Sequence, residues 1–301
     1  MTRTGENRSP APEPRVLLDG LAYVGSPRWH DGRLWFAHWG TGEIVAVDLD
    51  GGHEVVRRGP AGFGWAIDWL PDGRLVVTGK TLRRVEPDGS LVRHADLGRL
   101  ANHGWNEIVV DGRGNLFVNG VGLDFLACAR RPPGIIALVT PDGETHRVAD
   151  NIAFPNGMVV TPDNSTLIVA ESFAGRLTAF DIAPDGSLAD RRIWAEDLGP
   201  DGISLDDEGA IWVQSADSFA RSGDTDAPPR AVVRVREGGE VLQRIQHDRA
   251  IFATMLGGPD GTTLFMLAAE WRGIRRVDEA VEARTGQILV VDAPAGHAGW
   301  P

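Results

Sequence analysis

An internal repeat constrains this chain more than any other feature. A unit recurring every ~40 to 50 residues marks a propeller or solenoid. Here the unit is an apolar strand, a turn containing Asp-Gly or an equivalent, and a second apolar strand. It occurs at residues 26–38, 65–79, 106–120, 156–172, 201–215 and 254–270, and from the second copy onward the starts lie 41 to 53 residues apart. Further strand-like runs at 43–48, 135–139, 177–181 and 232–235 bring each unit to about four strands, rich in Val, Ile, Leu, Phe and Trp. Asp72-Gly73, Asp88-Gly89, Asp142-Gly143 and Asp185-Gly186 suit hairpins, because Gly accepts positive φ. Helical periodicity is weak; the best candidate is 276–285.

Six four-stranded units predict an all-β chain, a six-bladed β-propeller with four antiparallel strands per blade. The run 15–18 is expected to supply the outer strand of the last blade and close the ring. Residues 1–14 read as a disordered leader and 15–301 as a single propeller domain. The leader is polar, with Pro10, Pro12 and Pro14, and lacks the apolar stretch of a signal peptide, so a cytoplasmic location is expected. The 38 Gly and 19 Pro fit the many turns, and the 10 Trp fit blade packing.

Charge narrows the classes of partner. Thirty Lys and Arg against 42 Asp and Glu give a net charge of −12. That argues against a nucleic-acid groove or an anionic membrane surface, which need clustered cations. No run of ~18 apolar residues is available for a transmembrane helix. Cys128 is the single cysteine, so neither an internal disulfide nor a Cys-based metal cluster is possible. A small-molecule partner and a monomer or small homo-oligomer are expected.

In a propeller the innermost strands begin around a central channel, so equivalent repeat positions converge on one axis. The strand starts read Gly25, Trp65, Asn106, Asn156, Asp201 and Thr254. Asn-Gly and Asp-Gly are also generic turn signals, but the repeat places Asn106, Asn156 and Asp201 around one ring. One carboxylate with two amide carbonyls makes an all-oxygen set of the kind hard divalent cations prefer. Asp201 is suited to orient or deprotonate a water. No GxSxG elbow, HExxH helix or GxGxxG loop occurs, and Gly79-Lys80-Thr81 lacks P-loop spacing.

The segments SPRWHDGRLWF (26–36), FPNGMVVTPDNSTLIVAES (154–172), PDGISLDDEG (200–209) and MLGGPDGTTLF (255–265) resemble the family of gluconolactonases, senescence marker protein (regucalcin) and luciferin-regenerating enzyme. The resemblance runs from residue 17 onward and implies a six-bladed propeller that binds a divalent cation and opens sugar lactones or related cyclic esters. Asn156 and Asp201 match the family's metal ligands, and Asp201 also its base. Asn106 matches a third site residue, with Glu107 where the family has Asp. The family's first-blade metal ligand, a Glu, is replaced by Gly25, and the acidic residue often ending the next strand is His38.

The resemblance therefore implies catalytic Asp201, Asn106 and Glu107, and metal ligands Asn156, Asp201 and Asn106. His38 is either a compensating ligand, which would favour Zn, Fe or Mn over Ca, or pocket wall. The pocket is expected to include His38, Trp39, Lys80, His103, Asn119, Glu171, Gln214, Glu270 and Trp271, with Trp65 and Trp105 stacking on a flat or apolar ligand. A lactone hydrolase is the leading expectation. One alternative is a metal-independent cyclase, isomerase or lyase using Glu107, Glu171 or Glu270 as acid or base, as the strictosidine-synthase-like propellers do. A non-catalytic small-molecule-binding propeller is the other.

Overall fold

A computed structural model describes residues 13–60, 62–101, 104–121, 133–216, 230–271 and 276–301. Six four-stranded antiparallel sheets account for nearly all of its regular structure. Blade 1 comprises Val24–His30, Arg33–His38, Glu43–Val47 and His53–Arg58; blade 2 comprises Ile67–Trp69, Leu75–Val77, Leu82–Val85 and Leu91–Ala95. Blade 3 holds Ile108–Val110, Leu116–Gly120, Gly134–Val139 and Thr145–Ile152, and blade 4 holds Pro155–Val160, Thr166–Glu171, Arg176–Ile182 and Leu188–Ala195. Blade 5 is built from Ser204–Leu205, Ile211–Gln214, Arg230–Val235 and Val241–His247. Blade 6 is built from Ala250–Gly257, Thr263–Ala269 and Gly286–Asp292, with Arg15–Leu21 as its outer strand.

That outer strand closes the ring as the repeat predicts: Arg15 lies opposite Val290 and Val16 opposite Leu289. The first strand of each blade packs on the first strand of the next, and blade 6 returns to blade 1. Sequence dictates the layering within a blade. GIIALV in blade 3 is buried along its whole length, whereas the outer strand HEVVRR of blade 1 is almost wholly exposed. Charged outer strands leave the sheet edges unattractive to further pairing.

The repeated turn aspartates serve the turns themselves. Asp48 Oδ1 accepts from the N–H groups of Asp50 and Gly52, and Asp111 and Asp206 do the same in blades 3 and 5. Among the described residues the α-helix is Val277–Ala283, between the second and third strands of blade 6, ending at the left-handed Arg284.

The C-terminal segment crosses the far end of the inner strands. Ala298 donates to Leu205 O at 3.1 Å, and Trp300 and Val160 exchange backbone hydrogen bonds at 2.9 and 2.8 Å. Leu205 and Val160 end their strands, so this strap lies opposite the strand starts that carry Asn156 and Asp201.

Candidate active site

Asn106, Asn156 and Asp201 come together at the start of the inner strands of blades 3, 4 and 5, as expected. The close approach of blades 4 and 5 depends on Gly157, which donates to Asp201 O at 3.0 Å; a Cβ there would lie 2.6 Å from that oxygen. The Asp201 N–H donates to Gln214 Oε1 at 2.8 Å, and Gln214 Nε2 donates to Gly202 O at 2.9 Å. Gln214 is thus a clamp on the Asp201 turn.

Two further residues named as pocket wall have the same office. Fully buried Asn119 accepts from the Glu107 N–H at 3.2 Å and donates to Asn156 O at 2.7 Å. Glu171 is fully enclosed as well. It accepts from Ala153 N, Thr178 Oγ1, Arg176 and Arg191 at 2.5–3.1 Å, a set that leaves it no role as a channel acid. Burial opposes its ionisation, but the Ala153 N–H, the Thr178 hydroxyl and Arg191 together outweigh burial and hold the carboxyl below its ordinary value.

The aromatic and imidazole expectations need correction. Trp65 and Trp105 are 1% and 2% exposed and pack inside the blades, so neither can stack on a ligand. His38 Nε2 accepts the Ala22 N–H at 3.0 Å while Nδ1 faces Glu43 at 3.9 Å, so the ring is committed to the scaffold and not to a metal. Thr254 is not the blade 6 ring position. The inner strand of that blade begins at Ala250 and carries a bulge, and Phe252 O receives the Gly202 N–H at 2.9 Å. Lys80 is exposed, Glu270 and Trp271 are half-buried, and His103 and Cys128 lie outside the described residues.

Two charged residues escaped notice. Arg28, in the inner strand of blade 1, is buried in the channel. It donates to Pro27 O at 2.8 Å and Ile108 O at 2.6 Å, and stands 3.8 Å from Asp68 and 3.7 Å from Glu107. Asp68 accepts the Val110 N–H at 2.8 Å. The signal was present in sequence: charges inside the apolar runs SPRW and WAIDW.

This lattice shapes the site's electrostatics. Burial pushes the Glu107 carboxyl up, Arg28 opposes that, and Asp68 adds to it. The Asp201 carboxyl is driven well above the ordinary carboxylate range, first by burial and then by the negative charge of Glu107; a hydrogen bond from Asn156 only partly offsets this.

The remaining donors test whether a cation fits. Asn106 Nδ2 donates to Pro155 O at 3.4 Å and Asn156 Nδ2 to Ser172 Oγ at 3.3 Å. Both amides therefore spend NH groups on the scaffold. Among the described residues no group of three or more His, Cys, Asp or Glu could hold a metal. A carboxylate with two amide oxygens is by its chemistry a donor set for a hard, water-rich cation such as Ca, Mg or Mn rather than for Zn or Fe on nitrogen. Blade 1 offers no ligand, because Gly25 has no side chain.

Six four-stranded blades close into one ring, with Asn106, Asn156 and Asp201 at or just before the starts of the inner strands of blades 3, 4 and 5. The chain belongs to the SMP-30/Gluconolactonase/LRE-like family, whose model matches residues 25–270. It is 26% identical over 199 residues to diisopropyl-fluorophosphatase of Loligo vulgaris, covering 58% of this chain and 63% of that enzyme, under two thirds of the relative's length. Luciferin-regenerating enzyme shares the fold at a TM-score of 0.78 and 17% identity, over 96% of this chain and 98% of that one. So does a calcium-binding protein, regucalcin, from Agrobacterium tumefaciens, at 0.74 and 19%, over 96% of each. No described helix is long and apolar enough to cross a membrane.

Proposed function

We propose that this protein hydrolyses a small cyclic ester at the channel mouth, with Asp201 as the base. The observation that carries the reading is the placement of Asp201. Its backbone is clamped by Gln214 and Gly157, and burial and the negative charge of Glu107 raise its carboxyl above its ordinary value, which makes it a stronger base when ionised. Family membership and the resemblance to diisopropyl-fluorophosphatase support hydrolysis as the reaction class.

In this reading the ionised Asp201 carboxylate takes a proton from a water as its oxygen bonds to the ester carbonyl carbon. The same carboxyl returns that proton to the ring oxygen as the acyl C–O bond breaks, leaving a hydroxy acid. Asn156 steadies Asp201 by donating to it. Asn106, Asn156 and Asp201 would hold a divalent cation, which when bound supplies polarisation of the ester carbonyl. Arg28 offsets the charge of Glu107 beneath the site.

The test is a lactone panel assayed after dialysis against chelator, with each divalent ion restored in turn. Ring opening should fall at least ~100-fold in Asp201→Ala, the scale of a lost general base. The reading is lost if no lactone opens with any ion, or if that variant turns over normally.

A second reading, metal-independent acid–base chemistry such as cyclisation or isomerisation, is favoured by one observation: blade 1 supplies no metal ligand at Gly25. Stoichiometric metal in the purified protein would count against it.

A further inference from the structure

The channel mouth is divided by chemistry. Blades 3, 4 and 5 present Asn106, Asn156 and Asp201. On the side of blades 6, 1 and 2 an aromatic cluster is built on buried Tyr23 and Phe252, whose ring centroids lie 4.9 Å apart, with Phe63 and Trp271 partly buried at 5.9 and 6.0 Å from Tyr23. Trp39 packs partly buried against this cluster. Its indole covers Gly25: a Cβ on Gly25 would lie 2.2, 2.5 and 2.8 Å from Cη2, Cζ2 and Cζ3 of that ring. The ring is held by its own Nε1, which donates to Trp65 O at 2.7 Å.

Trp39 therefore fills the space into which any side chain at position 25 would project. Its one hydrogen-bond donor is already used, so at position 25 blade 1 offers an aromatic surface and no side-chain polar partner, while Arg28 further along the strand is held by Pro27 O and Ile108 O. A polyhydroxylated ring carries hydroxyls on every side, and those facing Trp39 and Gly25 would lose water without replacement. A flat apolar group loses nothing there and gains contact with the indole.

We infer that Trp39 is the specificity-determining residue of this site, and that the site takes a cyclic ester bearing an aromatic or similarly flat apolar group in preference to a sugar lactone. This rests on the hydrolase reading above for the identity of the polar half of the ligand.

Binding and turnover are measured separately, so that the two ideas fail separately. Calorimetry with the lactam analogues of dihydrocoumarin and of gluconolactone reads recognition without chemistry. The wild type should bind the aryl lactam at least ~10-fold more tightly than the sugar lactam. Trp39→Ala should abolish that preference and Trp39→Phe retain part of it. Gly25→Ala, whose methyl displaces the indole without removing it, should also weaken the aryl lactam. Thermal melts report whether each variant folds; if Trp39→Ala does not, the Phe and Gly25 variants decide.

The inference is overturned if the sugar lactam binds as tightly, if the aryl lactam does not bind, or if folded Trp39 variants leave its affinity unchanged. Preferential aryl binding with no ring opening under any ion would sink the hydrolase reading and leave Trp39's role standing. Opening of gluconolactone as efficiently as dihydrocoumarin would do the reverse.

Discussion

Asn119 joins blades 3 and 4 behind the site, donating to Asn156 O at 2.7 Å while accepting from the Glu107 N–H at 3.2 Å. One buried amide thus sets the backbone of a candidate ligand in one blade and of a candidate acid in the next. Asn119→Ala leaves a buried donor and a buried acceptor unpaired, at a cost of about 2–3 kcal/mol. Chemical denaturation should show that loss. Any hydrolytic activity should fall with it, since Asn156 is no longer held, while Asn119→Asp retains the acceptor and loses the donor.

Arg28 is the cation between two buried carboxylates. Arg28→Met should destabilise the fold by about 3–5 kcal/mol, the usual consequence of removing one partner of a buried pair. Combining it with Glu107→Gln should recover part of the loss, because one orphaned charge is removed with its counterion. A double-mutant cycle on unfolding free energies measures this coupling.

The four-donor cage around Glu171 makes an acid-labile contribution. Its folded-state value lies below the unfolded 4.5, so the stabilisation is complete above pH 4.5 and is lost as pH falls through the folded value. Glu171→Ala should cost about 3 kcal/mol at pH 7. The gap between wild type and variant should close progressively below pH 4.5 in a pH series of melts. A pH-independent gap would show that Glu171 acts through packing and not charge.

His38→Ala should lower stability by about 1–2 kcal/mol through the unpaired Ala22 N–H. Metal content, measured by elemental analysis, should be unchanged. His38→Gln, which can present an oxygen to the same N–H, should recover most of the stability.

Deleting residues 294–301 removes the backbone bonds to Leu205 and Val160 and the contact of Trp300 with the blade 3 turn, where a Cβ on Gly112 would lie 2.8 Å from the indole. The expected loss is about 3 kcal/mol, read as a lower denaturation midpoint with the blades' circular dichroism intact.

The architecture was legible because each blade repeats its own local code. Alternating or wholly apolar runs such as GIIALV sit between aspartate-capped turns, and the count of such runs gives the blades, including the closure expected from residues 15–18 and observed over Arg15–Leu21. The ring positions Asn106, Asn156 and Asp201 followed from that periodicity. Thr254 did not, because a bulge between Ile251 and Ala253 shifts the register of blade 6, where Phe252 O takes the Gly202 N–H. A one-residue insertion of this kind leaves no mark in composition or pattern.

The sequence by itself determined the six blades, the polar trio and the absence of a side chain at position 25, since these depend on residue type and spacing along the chain. Only the tertiary structure decided which polar residues the scaffold claims. Asn119, Gln214, Glu171 and His38 look like pocket residues in one dimension, yet backbone groups of adjoining strands and connecting segments claim their hydrogen bonds. The indole of Trp39 over Gly25 is likewise a contact between residues 14 apart in sequence, set by packing that no local pattern encodes.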